Sequence, residues 1–304
     1  MSFGKTWIML LLLSLACLLT SMYIVFFHES AVRRPEDDTP IIIDYPDSEN
    51  ERPELEDMQQ NNNYIETGYS PNDNIYVREI PVPLDADMQD HLAQFRERAK
   101  LLNREFPHSF TISMKGTEKA IALTFDDGPD NSSTPKIVEI LNNYNIHGTF
   151  FMLGQQMTGN ADIVQLIADG GHAIANHSWS HLRPTDASVD QLMDEADKTQ
   201  QEISKYSTGT KLFRPPYGLV DRTQMPALIE AGYNVVCWSV DSMDWYFDDP
   251  KLIVECVVKN AHPGAIVLMH CAGGRDNRNA TIEALTEIIE TLKKEGYSFV
   301  RLGE

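Results

Sequence analysis

The chain has 304 residues, enough for one large domain or two small ones, and its apolar fraction of 42% is ordinary for a globular protein. The formal net charge is −20, but the segment from Glu29 to Asp90 alone accounts for −13, with 17 acidic and 4 basic residues. This distribution excludes nucleic acid as an expected partner, because neutralising phosphates requires clustered Lys and Arg. Neither a CxxC zinc site nor a disulfide framework is expected from the cysteines, which are Cys17, Cys237, Cys256 and Cys271.

The N-terminal segment, residues 1–29, is predicted to be a transmembrane anchor. Trp7–Phe27 is an uncharged apolar run of 21 residues that follows Lys5, and it is long enough to span a bilayer. A cleaved signal peptide normally has a shorter apolar region that ends in small residues. The sequence therefore favours an uncleaved signal anchor, with cleavage as the alternative.

Two further segments separate this anchor from the rest of the chain. Residues 30–83 are rich in Pro, Asn and acidic residues and show little periodicity, which predicts a disordered acidic linker. Residues 84–116 are predicted to be a helical lead-in, because apolar residues recur at helical spacing between Leu84 and Phe106. Residues 117–304 form the predicted globular domain.

Seven apolar strands alternate with helices in this domain, which predicts an α/β fold with a parallel sheet, closed as a (β/α)₇ barrel. An open doubly wound sheet is the competing prediction, but it favours a glycine-rich turn after the first strand, where this chain has two acids. The predicted strands are Lys119–Phe125, His147–Leu153, His172–His177, Lys211–Arg214, Asn234–Val240, Ala265–His270 and Ser298–Leu302. The predicted helices are Thr134–Asn143, Ala161–Asp169, Ser188–Tyr206, Arg222–Ala231, Leu252–Asn260 and Ala280–Lys294.

Ionisable side chains stand at the carboxyl ends of five of these strands, where α/β barrels build their active sites. They are Asp126 and Asp127, His177 with His181 after it, Arg214, Asp241 and His270.

The segment His177-Ser-Trp-Ser-His181 places two imidazoles four residues apart, on one side of a turn, where they can share a metal. Such a pair alone is more often an accident of the surface. A carboxylate from Asp126 or Asp127 would complete the His₂Asp set of catalytic zinc, although Asp-Asp-Gly-Pro also reads as a simple turn. We expect one aspartate to bind the metal and its neighbour to accept a proton from water.

Other polar residues at the strand ends have two interpretations each. His270 is a general acid or a core histidine, and Asp241 is placed to hydrogen-bond its imidazole and favour the protonated form. Arg214 caps its strand or pairs with Asp126. Trp245 is a core aromatic or the wall of a pocket.

Five motifs, in order, resemble the polysaccharide deacetylases of the NodB-homology type, carbohydrate esterase family 4. The resemblance covers Lys119 to Leu302, nearly two thirds of the chain. The motifs are Thr124-Phe125-Asp126-Asp127-Gly128-Pro129, His177-Ser178-Trp179-Ser180-His181, Arg214-Pro215-Pro216-Tyr217-Gly218, Asp241-Ser242-Met243-Asp244-Trp245 and Leu268-Met269-His270.

The resemblance implies a distorted (β/α)₇ barrel with a divalent metal, usually Zn²⁺, with Co²⁺ and Ni²⁺ as alternatives. Asp127, His177 and His181 would bind it. Asp126 would be the general base, oriented by Arg214.

The same resemblance implies roles for residues around the metal. The Tyr217 main chain would stabilise the oxyanion, and His270 would be the general acid, tuned by Asp241. The substrate-binding residues would be Trp245 and Leu268, which wall the acetyl methyl pocket, and Pro216.

The implied activity is hydrolytic removal of acetyl groups from N-acetylhexosamine units, a hydrolysis of carbon–nitrogen bonds other than peptide bonds. Cell-wall peptidoglycan is the preferred substrate, because an anchored barrel on an acidic stalk reaches wall glycan outside the cell. Chitin-type or poly-N-acetylglucosamine deacetylation, O-acetyl-xylan esterase activity and a silent carbohydrate-binding protein remain alternatives. Cys271, where many relatives have an acid, and the nearby Asp276-Asn277 pair leave the sugar open. The expected partners are an N-acetylated glycan and the membrane, with a monomeric catalytic domain.

Overall fold

The computed structural model describes residues 78–115, 119–209, 211–274 and 277–303. The predicted anchor, residues 1–29, and most of the predicted linker, residues 30–83, lie outside the described residues. Within the described ranges, no helix combines the length and apolar character needed to cross a membrane. The anchor and the segment boundaries therefore stay predictions.

Nine strands and eight α-helices make up the described part of the chain. The strands are β1 (Phe110–Thr111), β2 (Ala120–Asp126), β3 (Thr149–Met152), β4 (Ala173–Asn176), β5 (Leu212–Phe213), β6 (Asn234–Val236), β7 (Val240–Asp241), β8 (Ala265–His270) and β9 (Ser298–Phe299). The helices are α1 (Ala86–Glu105), α2 (Thr134–Asn143), α3 (Gly154–Gly159), α4 (Ala161–Asp169), α5 (Val189–Ile203), α6 (Met225–Glu230), α7 (Pro250–Asn260) and α8 (Asn279–Lys294). Two short 3₁₀ helices follow β4 and β5, at Pro184–Asp186 and Pro216–Gly218.

The strands form one parallel sheet in the order β1-β6-β5-β4-β3-β2-β8-β7, and β9 also pairs with β2. The sheet curls, because one short stretch of chain contributes β6, next to one edge of the sheet, and β7, at the other edge. Asn234–Val236 pairs with β5, while Val240–Asp241, only a few residues later, pairs with β8. The single strand predicted over Asn234–Val240 is therefore two strands, and the predicted barrel is observed as a curled, parallel half-barrel.

Alternation along the strands decides which side chains point into the barrel. On β8, Ala265, Val267 and Met269 join the apolar cluster shared with the outer helices, while Ile266 and Leu268 belong to a second cluster. Because successive side chains in a strand point to opposite faces, the strand-ending His270 shares the face of Ile266 and Leu268. The same alternation on β2 places Asp126, its last residue, on the face of Ala122. The opposite face of β2 carries Ile121, Leu123 and Phe125.

Strongly periodic elements have the predicted bounds. Helices α2 and α4 and strand β8 begin and end at the predicted residues, and the lead-in helix over Leu84–Phe106 is observed as Ala86–Glu105. Its N-terminus is capped by Asp85, whose side chain accepts a hydrogen bond from the Met88 N–H. The short elements β1 and α3 were not predicted, since two apolar residues or one glycine-flanked turn give no periodic signal.

Candidate active site

Strand β2 delivers the two adjacent aspartates to the mouth of the barrel in different directions. Asp126 is the last residue of the strand and pairs in register with His270 of β8. The next residue, Asp127, has a positive φ of 74°, so the chain leaves the strand sharply and its carboxylate points elsewhere. At Gly128 a Cβ would lie 2.5 Å from the Cys271 sulfur, so only glycine fits this turn.

The loop that carries His177 and His181 donates main-chain hydrogen bonds to side chains of strand β4 and helix α5. Ser178 and His181 both have positive φ, 67° and 63°. Asn176, the last residue of β4, accepts the Ser178 N–H at 2.9 Å. Glu195 of α5 accepts the next two main-chain N–H groups at 2.9 and 2.7 Å. These three hydrogen bonds hold the main chain of the loop in place.

Three candidate ligand atoms converge at this point. Asp127 Oδ1 lies 3.5 Å from His177 Nε2 and 3.4 Å from His181 Nε2, and the three atoms all lie within 4.8 Å of one another. Two ligands of a tetrahedral zinc, with bonds of about 2.0–2.1 Å, are about 3.3 Å apart. Asp127 Oδ1 is buried and has no hydrogen-bond partner in the protein. An orphaned carboxylate oxygen between two imidazoles fits a cation.

The protonation states also suit a cation, which requires a carboxylate and neutral imidazoles. Burial opposes ionisation of Asp127, but the neighbouring histidines outweigh it and lower the pKa of its carboxyl below the usual value. Burial lowers the pKa of His181 to about 4, against the attraction of Asp127. The Nδ1 of His177 lies 2.7 Å from the Arg214 carbonyl oxygen. Since it can only donate there, Nε2 carries the lone pair that faces the site.

Arg214 and Asp126 form a fully buried ion pair beside these ligands. The Arg214 Nη1 donates to Asp126 Oδ1 at 2.7 Å and to Thr124 Oγ1 at 2.8 Å. Its guanidinium also lies over the Phe151 ring, 4.0 Å from the centroid. The other oxygen, Asp126 Oδ2, is 3.8 Å from His177 Nε2. The predicted pairing of Arg214 with Asp126 is present, and it leaves Oδ2 facing the candidate metal ligands.

The predicted hydrogen bond between Asp241 and His270 is wrong, because the partner of His270 is Asp244. His270 Nδ1 lies 2.7 Å from Asp244 Oδ1, and the His270 N–H donates to Asp244 Oδ2 at 2.8 Å. Asp241 instead accepts the indole N–H groups of Trp238 and Trp245, each at 3.1 Å. Asp241 still lies in strand β7, whereas Asp244 follows in the turn that reaches the end of β8.

The pKa directions agree with this assignment. Burial alone would lower the pKa of His270, but the charge of Asp244 and the hydrogen bond between them outweigh it and raise the pKa. Burial likewise opposes ionisation of Asp244, yet the same partner holds the Asp244 pKa below its usual value. Burial raises the pKa of Asp241 to about 6, against hydrogen bonds from Met243 and Trp245. The anion beside the imidazole is therefore Asp244.

The remaining predicted residues lie in β8 and in the turns that follow β5 and β7. Tyr217 has a positive φ of 60° and is 42% exposed, and its ring stands edge-on to the His181 imidazole at 4.6 Å. Leu268 is buried at 3% exposure on the inner face of β8. Pro216 is buried in the 3₁₀ turn with Tyr217. Trp245 is half-buried.

Sequence reasoning missed two residues of the site. Asp244 belongs to the same sequence motif as Asp241. Only the path of the turn after β7 shows which of these two aspartates contacts His270. Arg278 is buried, its Nη2 lies 3.7 Å from Asp127 Oδ2, and its Nη1 donates to the Asp244 carbonyl oxygen at 3.2 Å. It follows an irregular glycine-containing stretch, where no periodicity points to a site residue.

Comparison with known proteins agrees with this geometry. A family model described as polysaccharide deacetylase matches residues 113–236. A peptidoglycan-N-acetylglucosamine deacetylase of Bacillus cereus is 39% identical over 196 residues, which are 64% of this chain and 91% of that protein. The peptidoglycan-N-acetylmuramic acid deacetylase PdaA of Bacillus subtilis is 37% identical over 193 residues, 62% of this chain and 71% of the relative.

Solved structures show the same likeness. The crystal structure of the Bc1960 peptidoglycan N-acetylglucosamine deacetylase superimposes with a TM-score of 0.60 at 34% identity, over 63% of this chain and 89% of that chain. A structure described as a carbohydrate esterase family 4 pseudoenzyme from Bacillus anthracis has a TM-score of 0.58 at 29% identity, over 63% of this chain and 66% of its own. Sequence and structure agree over the barrel, and the chain belongs to the polysaccharide deacetylase family.

Proposed function

We propose that this chain is a metal-dependent deacetylase that hydrolyses the N-acetyl groups of hexosamine units in cell-wall peptidoglycan. The observation that carries the proposal is one cluster at the barrel mouth. It combines three converging ligand atoms, a carboxylate paired with a buried arginine, and a carboxylate-bound imidazole. The named activities of the B. cereus and B. subtilis relatives support the choice of peptidoglycan.

Asp127, His177 and His181 are the residues that would hold the cation, with Zn²⁺ preferred and Co²⁺ or Ni²⁺ as alternatives. When bound, the cation supplies Lewis acidity, which lowers the pKa of a water and polarises the amide carbonyl.

Asp126 is the proposed general base. Arg214 occupies its Oδ1 at 2.7 Å, so Oδ2, on the side of His177, is the atom that accepts a proton from the attacking water. The Tyr217 main-chain N–H is proposed to stabilise the oxyanion that forms.

His270 is the proposed general acid. Its Nδ1 is committed to Asp244, so Nε2 is the atom that delivers a proton to the leaving amine, which is a poor leaving group without it. The raised pKa of His270 keeps that proton in place until the amine departs. The acetyl methyl group is proposed to lie against Leu268 and Trp245, with Pro216 also in contact with the substrate.

The cellular setting belongs to the same proposal. The apolar run Trp7–Phe27 and the acidic residues that follow it support a membrane anchor with an extracellular, monomeric catalytic domain. Secretion after cleavage is the alternative.

Acetate release decides the function. The full chain, solubilised in detergent, is incubated with N-acetylglucosamine oligomers, peptidoglycan and O-acetylated xylan, with Zn²⁺ and with a chelator. We expect zinc-dependent release from peptidoglycan. No release from any glycan by the metal-loaded protein would favour a silent binding protein, as the similar pseudoenzyme structure illustrates. Release from xylan alone would overturn the N-acetyl assignment.

A further inference from the structure

Helix α1 packs against the loops that form one side of the active-site mouth. It precedes residues 113–236, which the family model matches. The Tyr246 hydroxyl donates to Asp85 Oδ2, at the start of α1, at 3.0 Å. Arg98 Nη1 lies 3.4 Å from Asp221 Oδ1, in the segment after the Tyr217 turn. Residues of its buried face recur at helical spacing and are Met88, Leu92, Phe95, Ala99 and Leu102.

Phe95 supports the turn that contains Tyr217. Its ring stacks on the Trp238 indole, with centroids 4.5 Å apart and planes 19° from parallel. A Cβ on Gly218 would lie 2.5 Å from the Phe95 ring and 2.7 Å from Trp238. Gly218 and Tyr217 are consecutive residues with positive φ, 67° and 60°. The main chain of the turn therefore rests directly on these two rings, with no space between them.

One helical turn earlier, His91 reaches the second indole of the site. Its ring stands edge-on to Trp245 at 6.4 Å. Asp241 joins the two indoles, because its carboxylate accepts the N–H of Trp238 on one oxygen and that of Trp245 on the other, both at 3.1 Å. Residues four apart lie on the same helix face. His91 and Phe95 thus each contact one member of an indole pair that Asp241 bridges.

We propose that Phe95 and His91 are positioning residues for the proposed deacetylation, and that α1 is part of the active site. Phe95 fixes the turn whose Tyr217 N–H faces the oxyanion, and His91 fixes the Trp245 wall of the acetyl pocket. This inference rests on the proposed function. Because a displacement of about 1 Å costs up to about 100-fold in rate, we expect Phe95→Ala to lower kcat about 10- to 100-fold and to change KM less.

The test compares Phe95→Ala with Leu102→Ala in the full chain. Leu102 is also buried on α1, at 5% exposure, but lies seven residues further along the helix, about 10 Å away. Both variants lose core packing and stability. Only Phe95→Ala is expected to lose kcat when the two are compared at equal fraction folded, while zinc affinity stays unchanged in both. Phe95→Leu should restore part of the rate, and His91→Phe should retain more activity than His91→Ala.

Indole fluorescence supplies a readout that does not depend on turnover. Phe95→Ala is expected to shift the emission of Trp238 and Trp245, whereas Leu102→Ala is not. Equal kcat losses in the two variants, or unchanged emission in folded Phe95→Ala, would overturn the positioning role. A parent protein that releases no acetate would overturn the proposed function instead, and the emission shift would still decide whether α1 shapes the site.

Discussion

Replacing Arg214 with methionine removes the cation of a buried ion pair and leaves its partner in place. The guanidinium is fully buried and donates to Asp126 Oδ1 at 2.7 Å and to the carbonyl oxygens of Val236 and Cys237 at 3.1 and 3.3 Å. Asp126 is itself only 3% exposed, so its carboxylate would be left buried without its cation. A side chain of similar length fills the volume but satisfies none of these acceptors.

The expected loss of stability is large. Breaking a buried ion pair by removing one partner costs about 3–5 kcal/mol. Each of the two carbonyl oxygens left without a donor adds about 1 kcal/mol or more. We therefore expect Arg214→Met to lower the free energy of unfolding by at least about 3 kcal/mol, a large part of the roughly 5–15 kcal/mol typical of a domain. Activity should be lost even in the folded fraction, because Asp126 is no longer oriented.

Urea unfolding in chelator measures this cost without the added stability of a bound cation. The double variant Arg214→Met/Asp126→Asn should be less destabilised than the two single variants predict together, with a coupling energy of at least about 2 kcal/mol. Arg222→Met is the matched control, since its side chain is 76% exposed beside Glu105 and should cost less than about 1 kcal/mol. If Arg214→Met unfolded like this control, or if the double variant were additive, the buried pair would not be the stabilising interaction.

Four further substitutions test separate parts of the site and the fold. Asp126→Asn should keep zinc affinity yet lose turnover, whereas His181→Ala should lose zinc affinity, as measured by competition with a chelating dye. Asp244→Asn should move the alkaline fall of kcat to lower pH, because the Asp244 carboxylate raises the pKa of His270 and activity requires the protonated imidazole. Burial lowers the pKa of His172 to about 4, so the free energy of unfolding should fall by about 1–3 kcal/mol as pH drops from about 6.5 towards 4, and His172→Asn should make this fall smaller.

Each of these expectations has an outcome that contradicts it. Loss of zinc by Asp126→Asn would reverse the division of labour between Asp126 and Asp127. An unchanged kcat profile in Asp244→Asn, or an equal shift in Asp241→Asn, would reject Asp244 as the partner of the acid. A pH dependence of stability that is as large in His172→Asn as in the parent protein would assign it to other groups.

The bounds of a helix or strand can be predicted from the sequence when its apolar pattern is long and regular. Strand β8 and helix α2 have long, regular apolar patterns, and their bounds were predicted without error. The stretch from Asn234 to Val240 is also apolar, yet its two ends pair with strands on opposite sides of the barrel seam. Hydrophobicity reports burial, and both halves are buried. It does not report a change of pairing partner, so one strand was predicted where the barrel has two.

The sequence also does not report which side chain a residue contacts, and for this reason it points to Asp241 as the partner of the general acid. The sequence places Asp241 at a strand end, which is where barrel chemistry is expected, and Asp244 three residues beyond it in a turn. In the folded chain Asp241 accepts only neutral donors, from indoles and the main chain, and burial raises its pKa. Asp244 contacts the imidazole that carries the proton, which keeps its carboxyl ionised. Two aspartates in one motif are therefore distinguished by the charge of the group each contacts.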